Sequence, residues 1–271
     1  KGKEYMFDRF NRKINYLRIS VTDRCNLRCV YCMPEEGVKL LEHQDILSFD
    51  EITEVAQASV RKGVDKIRLT GGEPLVRKEI VELVRMIGKI EGIKDYSMTT
   101  NAILLDKFAQ DLADAGLHRV NISLDTLNAE KFKKITRGGD IQKVFDGIQA
   151  AKDAGLEPIK INCVIKENRN EPDAVDVAKY CQENGLHVRF IKEMNLETGS
   201  FSVVQGGSGG DCAHCNRLRL TSDGKIKPCL FSDMGYSVRD LGPERAIDLA
   251  IGNKPKSGLT NFTGRFYNIG G

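Results

Sequence analysis

Polar and apolar positions along the chain repeat with two periods in turn. Tyr16–Val21 has the alternation of a strand, with Leu17, Ile19 and Val21 on one face and Arg18 and Ser20 on the other. Five more strand patterns follow: Lys66–Thr70, Tyr96–Thr100, Arg119–Leu124, Ile159–Ile165 and His187–Ile191. Helical stripes fill the gaps, as in Ile52, Val55, Ala56, Val60 and again in Ile80, Leu83, Val84, Ile87. Leu105, Phe108, Ala109 and Leu112 form another, and Ser48 with Glu51 makes a capping box ahead of the first. Gly63, Gly92, Gly116, Gly155 and Gly185, each followed by an apolar residue, have the pattern of helix ends. Strand then helix at a spacing of about 30 residues means βα units with right-handed crossovers and a parallel sheet.

Six strands between residues 16 and 191 are too few for a closed eight-fold barrel, which takes ~250 residues. The expected fold is α/β, a partial (βα)6 TIM-like barrel whose edges and mouth are covered by a C-terminal extension. Domain boundaries follow: a barrel over 1–195, a Gly/Ser-rich linker over 196–210, and an extension over 211–271. The stretch Gly206-Gly207-Ser208-Gly209-Gly210 reads as an engineered bridge in place of a longer loop.

Composition changes this picture little. Hydrophobic residues at 41% and charged residues at 29% exclude a disordered or fibrous chain, and a net charge of +3 does not call for nucleic acid. No apolar window reaches the ~18 residues of a membrane span. The start, Lys-Gly-Lys-Glu-Tyr, has no secretory core and no Met, so a trimmed start and a cytoplasmic location are expected.

The eight cysteines carry more. Cys163 and Cys181 lie on apolar patterns and read as small buried hydrophobes. The other six form two triplets. Cys25-x3-Cys29-x2-Cys32 directly follows the first strand, at the barrel end where sites are built. Three thiolates can hold three irons of a [4Fe–4S] cluster and leave the fourth open, whereas a closed zinc site needs a fourth ligand that nothing nearby offers. His43 is too isolated to supply it. In the second triplet, Cys212, Cys215 and Cys229, His214 is the one nearby candidate for a fourth ligand, so a zinc knuckle stands beside a second open cluster.

A cysteine motif of this spacing with an aromatic residue before the last Cys resembles the radical S-adenosylmethionine (SAM) superfamily. Gly71-Gly72-Glu73-Pro74 after the second strand resembles that superfamily's segment for the methionyl amino group. Two three-cysteine clusters, Phe7-Asp8-Arg9-Phe10, Leu17 to Cys25, Thr99-Thr100-Asn101, Asn216 to Gly224 and the terminal Ile269-Gly270-Gly271 together resemble the GTP 3′,8-cyclase (molybdenum-cofactor biosynthesis protein A) family. One departure is Leu196 to Asp211, shorter than that family usually carries. The resemblance implies two [4Fe–4S] clusters and SAM as cofactors. It implies SAM contacts at Tyr31, Gly72, Ser123 and Met194. GTP contacts are implied at Arg18, Arg68, Thr99 and Lys160, and at Arg217, Leu218 and Arg219.

The basic residues agree on physical grounds. Arg18, Arg68 and Lys160 alternate with apolar neighbours and can point into a barrel, as can Arg217 and Arg219 on their own strand. Three phosphates need several such groups, and no Walker-type loop is present to hold them otherwise. The expected activity is a lyase reaction of the radical SAM type: 3′-hydrogen abstraction from GTP, then closure onto C8 of guanine to 3′,8-cyclo-7,8-dihydro-GTP. An external one-electron reductant, a downstream cyclic pyranopterin monophosphate synthase and a homodimeric state come with the resemblance. The rival readings are a radical SAM peptide maturase and a non-enzymatic iron–sulfur scaffold.

Overall fold

The computed structural model describes residues 5–194 and 201–258. A two-stranded hairpin, β1 (Met6–Phe7) and β2 (Lys13–Ile14), leads into six strands: β3 (Tyr16–Ser20), β4 (Lys66–Thr70), β5 (Asp95–Thr100), β6 (Arg119–Ser123), β7 (Lys160–Ile165) and β8 (His187–Lys192). Helices separate them: α1 (Phe49–Arg61), α2 (Ile80–Gly88), α3 (Leu105–Asp114), then the pair α4 (Ala129–Thr136) and α5 (Ile141–Asp153), and α6 (Pro172–Glu183). The C-terminal part adds β9 (Arg217–Leu220), β10 (Lys225–Lys227), β11 (Tyr236–Ser237), α7 (Val238–Leu241) and α8 (Pro243–Gly252).

Local chemistry sets these boundaries. Ser48 and Glu51 close the capping box of α1 in both directions, a motif whose cap alone contributes ~1 kcal/mol. All five glycines expected at helix ends have left-handed backbones, with φ from 69° to 102°. In four of them the next residue folds back, for example with the Leu117 N–H donating to the Leu112 carbonyl at 3.0 Å.

One nine-stranded sheet results, in the order β11-β10-β9-β3-β4-β5-β6-β7-β8. From β9 to β8 every pairing is parallel, while β10 and β11 are antiparallel. The extension therefore joins the sheet, with Tyr16 opposite Arg217 and Arg18 opposite Arg219. Beside β8, the outer edge is met by Gln205, which exchanges two main-chain hydrogen bonds with Phe190 at 3.0 and 3.1 Å. An open parallel sheet thus has pairing partners on both flanks.

The main core lies between the sheet and its helices. Leu17, Leu69, Met98, Ile122, Ile161 and Leu218 on the strands are completely buried against the helix stripes that include Val55, Leu83, Leu112 and Val177. Cys163 and Cys181 belong to this core, as expected for small apolar side chains. The opposite strand face, turned to the lumen, is polar. In a closed barrel of this kind the lumen is packed solid; here it is free to be a site.

Candidate functional site

Alternation carries the polar residues inward. Arg219, Arg18, Arg68, Ser97 and Arg119 occupy matched positions on five adjacent strands. Neighbouring strands lie only ~4.8 Å apart, so this row stacks like charges. Several of its members have partners of their own. Arg119 forks onto Asp95 at 2.7 and 2.9 Å, and the Arg68 Nε donates to Ser97 Oγ at 3.1 Å. In and beside the row, the Nε atoms of Arg18 and Arg217 and the hydroxyls of Tyr16 and Thr99 are sealed from solvent without a hydrogen-bond partner, while Arg217 donates through Nη2 to Ser208 Oγ at 2.7 Å. The guanidinium carbons of Arg68 and Arg217 both stand 5.5 Å from the Tyr16 ring. Burial, with the neighbouring arginines, pushes Arg18 well below its usual range and Arg219 to about 10. Burial and the neighbouring Arg119 and Arg189 bring Lys160 to about 8. A row of partly unsatisfied buried cations is costly when empty and is suited to a polyanion.

These residues line a cavity of about 540 Å³. Ten Arg and Lys side chains face it against three Asp and Glu. The first triplet stands at one end. Its loop leaves the C-terminal end of β3 and is held by the Gly71-Gly72 segment, where the N–H groups of Gly72 and Glu73 donate to the Thr22 and Arg24 carbonyls, both at 2.8 Å. A Cβ on Gly72 would stand 2.1 Å from the Arg24 carbonyl oxygen, so only glycine allows this approach. Glu73 is buried and ties the segment to the end of β5, accepting from Thr100 Oγ1 and the Asn101 N–H, each at 2.7 Å. Burial raises its carboxyl to about 7.

The cysteine loop itself turns on main-chain bonds from Cys32 and Met33 to the Cys29 carbonyl. The Leu27 N–H points at Cys25 Sγ, 3.4 Å away. Helix α4 buttresses the loop, with Thr136 and Ile135 carbonyls accepting from Arg28 and Val30 and Arg137 donating to the Arg28 and Met33 carbonyls. Tyr31 is fixed by its hydroxyl on Asp125 at 2.8 Å. Burial pushes the Cys25 thiol to about 11 and Cys29 to about 12, so loading a metal group here would release protons.

The second triplet stands at the other end. Cys215 lies just before β9, which runs parallel to β3, and Cys229 lies just after the antiparallel β10. Both therefore sit at the N-terminal ends of the parallel strands, a strand length of ~16 Å from the first triplet. The extension was expected over the barrel mouth; strand polarity puts its cysteines at the opposite end. Burial works against ionisation of Cys215, yet Lys254 and Arg217 beside it hold the thiol below its ordinary value. His214 takes no part: its side chain is 85% exposed and bonds Asp211 at 2.8 Å, which removes the fourth ligand of a zinc knuckle. Among the described residues, no three His, Cys, Asp or Glu side chains gather as ligands of a single ion. In a [4Fe–4S] cluster each thiolate binds a different iron, so two sets of three thiols without a fourth ligand fit that group.

Tyr31, Gly72, Ser123 and Met194 all face the cavity, as do Arg18, Arg68, Thr99, Lys160, Arg217, Arg219, Cys32, Cys212, Cys215 and Cys229. Cys25 and Cys29 are half-buried behind Cys32. Leu218 is the correction. It is completely buried in the core opposite Leu17, because alternation turns it away from its two arginine neighbours, so no side-chain contact with a ligand is open to it. Lys66, Arg119, Asn162 and Arg189 also line the cavity and were legible by the same period-2 rule. Lys254 lines it too, from a loop that gave no signal. Ile269-Gly270-Gly271 lies outside the described residues.

Comparison with known proteins agrees with this architecture. The radical SAM superfamily profile matches residues 19–181, and that of Molybdenum Cofactor Synthesis C matches 176–256. A GTP 3′,8-cyclase of Peptoclostridium acidaminophilum is 46% identical, covering 94% of both chains, and one of Listeria monocytogenes serotype 4b is 43% identical over 92% of this chain and 91% of its own. The chain belongs to the GTP 3′,8-cyclase family of radical SAM proteins. Membership implies a [4Fe–4S] cluster and SAM. The crystal structure of Streptococcus suis SuiB shares the fold, at TM-score 0.65 and 15% identity over 90% of this chain and 67% of that one. The Listeria alignment runs over 302 positions but draws on 92% of 271 residues, about 249, so about 50 positions inside the matched region face no residue here. Family membership thus comes with an internal shortening. No helix among the described residues is long and apolar enough to cross a membrane.

Proposed function

We propose that this chain is a lyase that converts GTP to 3′,8-cyclo-7,8-dihydro-GTP. The observation that carries the reading is one continuous cavity with a cysteine triplet at each end and a cationic wall between them. Cys25, Cys29 and Cys32 would hold a cluster with one iron free for SAM, and Tyr31, Gly72, Ser123 and Met194 line the space beside it. The chemistry that cluster and SAM supply when bound is homolytic, a one-electron cleavage followed by removal of the ribose 3′ hydrogen. Everything else falls to the side chains. Arg18, Arg68, Lys160, Arg217 and Arg219 would take the triphosphate, and Thr99 offers a free buried hydroxyl beside them. Their number suits three phosphates better than a peptide. Cys212, Cys215 and Cys229 would hold a second [4Fe–4S] cluster whose free iron orients the guanine. Walling both ends also keeps water from the reacting carbon.

The division into barrel (1–195), bridge (196–210) and extension (211–271) is part of this reading. So are a cytoplasmic location, an external one-electron reductant, a homodimeric state and a downstream synthase that receives the product. The test is anaerobic and uses two variants. Cys25→Ala should lose both 5′-deoxyadenosine formation and GTP conversion. Cys229→Ala should keep part of its SAM cleavage while GTP conversion collapses, because the guanine is no longer oriented. Full cyclase activity in Cys229→Ala, or SAM cleavage in Cys25→Ala, would overturn the assignment.

A further inference from the structure

Lys254 is a lysine with 2% of its surface exposed, and it has no acidic partner among its hydrogen bonds. Its Nζ donates to the Arg217 carbonyl at 2.7 Å and the Pro228 carbonyl at 2.6 Å. These carbonyls belong to the two segments that carry Cys215 and Cys229. Its remaining hydrogen-bond partner is the Cys215 thiol; a buried ammonium held by two carbonyls and a neutral thiol is expensive, and such a position is tolerated where a negative group completes it. The nearest candidates are the thiols of Cys215 and Cys229, which face the same end of the cavity.

A second buried cation grips the same region from behind. Arg12 donates to the Cys212 carbonyl at 2.6 Å, to Pro255 at 2.6 Å and to Lys256 at 3.0 Å. Its remaining Nε is anchored on buried Asp8 at 2.7 Å. Arg12 therefore ties the N-terminal hairpin both to the loop of Cys212 and to the strap that carries Lys254. The three cysteines come from two segments about 15 residues apart; the β9–β10 ladder joins the strands between them, and beyond its end Lys254 bonds both segments while Arg12 takes hold of the Cys212 loop.

We infer that Lys254 and Arg12 act as one brace that positions the second cysteine triplet, with the Lys254 ammonium supplying positive charge to its thiolates. The inference rests on the two-cluster reading above. Partners of this kind are worth roughly 10–100-fold in metal affinity.

The experiment uses the full chain, reconstituted anaerobically with iron and sulfide. Unaltered protein should hold about eight irons, two clusters of four; about four would defeat the two-cluster reading itself. In Lys254→Met, which keeps the length and removes the charge, the first cluster should survive with its SAM cleavage. The second should lose iron to a chelator at least about tenfold faster and show a lower reduction potential by EPR titration, since a cation favours the more negative reduced state. Arg12→Lys leaves Lys254 intact but frees the strap, and should speed iron loss from the same cluster; it decides the matter if Lys254→Met does not fold. Eight irons, unchanged chelator kinetics and an unchanged second potential in either folded variant would overturn the brace. A packing role alone would not shift one cluster's potential and leave the other's.

Discussion

Replacing Arg18 with Met should make the empty protein more stable and GTP binding weaker. Arg18 stands between Arg68 and Arg219 on adjacent strands, and its Nε is buried with no partner. Arg18 is half-buried, and replacing a charge crowded by two like charges with an apolar side chain of similar volume is stabilising by about 1 kcal/mol or more. For a chain of this size each kcal/mol moves Tm by about 2–4 °C, so a rise of several degrees is expected. A charge-assisted contact to phosphate contributes about 1.5–3 kcal/mol, and its loss should weaken GTP roughly 10- to 150-fold. Arg119→Met is the control. Arg119 is paired with Asp95, so its removal strands a carboxylate and should lower Tm. Thermal melting without ligand and equilibrium dialysis with GTP give both quantities. A lower Tm for Arg18→Met together with unchanged GTP affinity would refute the idea that the row is built for an anion.

Lys160, held at about 8, loses its charge as pH rises through that value, so KM for GTP should climb between pH 7 and 9. Lys160→Arg should flatten that climb, and an identical profile in the variant would remove Lys160 from phosphate binding. Gly72→Ala forces a Cβ into the Arg24 main chain and should abolish SAM binding by dialysis while circular dichroism stays unchanged; normal SAM affinity would mean the segment can shift at no cost.

The strands and their ends could be read from the residues because each is fixed locally. A helical stripe ending at a stop glycine and followed by period-2 alternation needs no distant partner, and five such glycines mark where helix gives way to strand. Arg18, Arg68 and the two arginines of β9 were legible for the same reason. What escaped depends on contacts far apart in sequence. Pairing of β9 with β3 joins residues about 200 apart, and without it the cysteine extension has no place. Helix α4 is short, with three lysines in eight residues, and has the appearance of solvated loop until its end docks on the cysteine turn. Lys254 sits in Asn-Lys-Pro-Lys, a composition of surface turns, and only tertiary packing buries it.

The placement of the triplets at opposite strand ends makes the sheet a ruler. Their separation is counted in residues of extended backbone, in steps of ~3.3 Å, and seven parallel strands hold the count jointly. No single substitution can lengthen it, since a residue added to one strand bulges out of a register that its neighbours keep. The distance between the two sets of thiols is therefore written into the scaffold rather than into any side chain. Loops can retune which bases or sugars are accepted, but the span itself changes only if the whole sheet does.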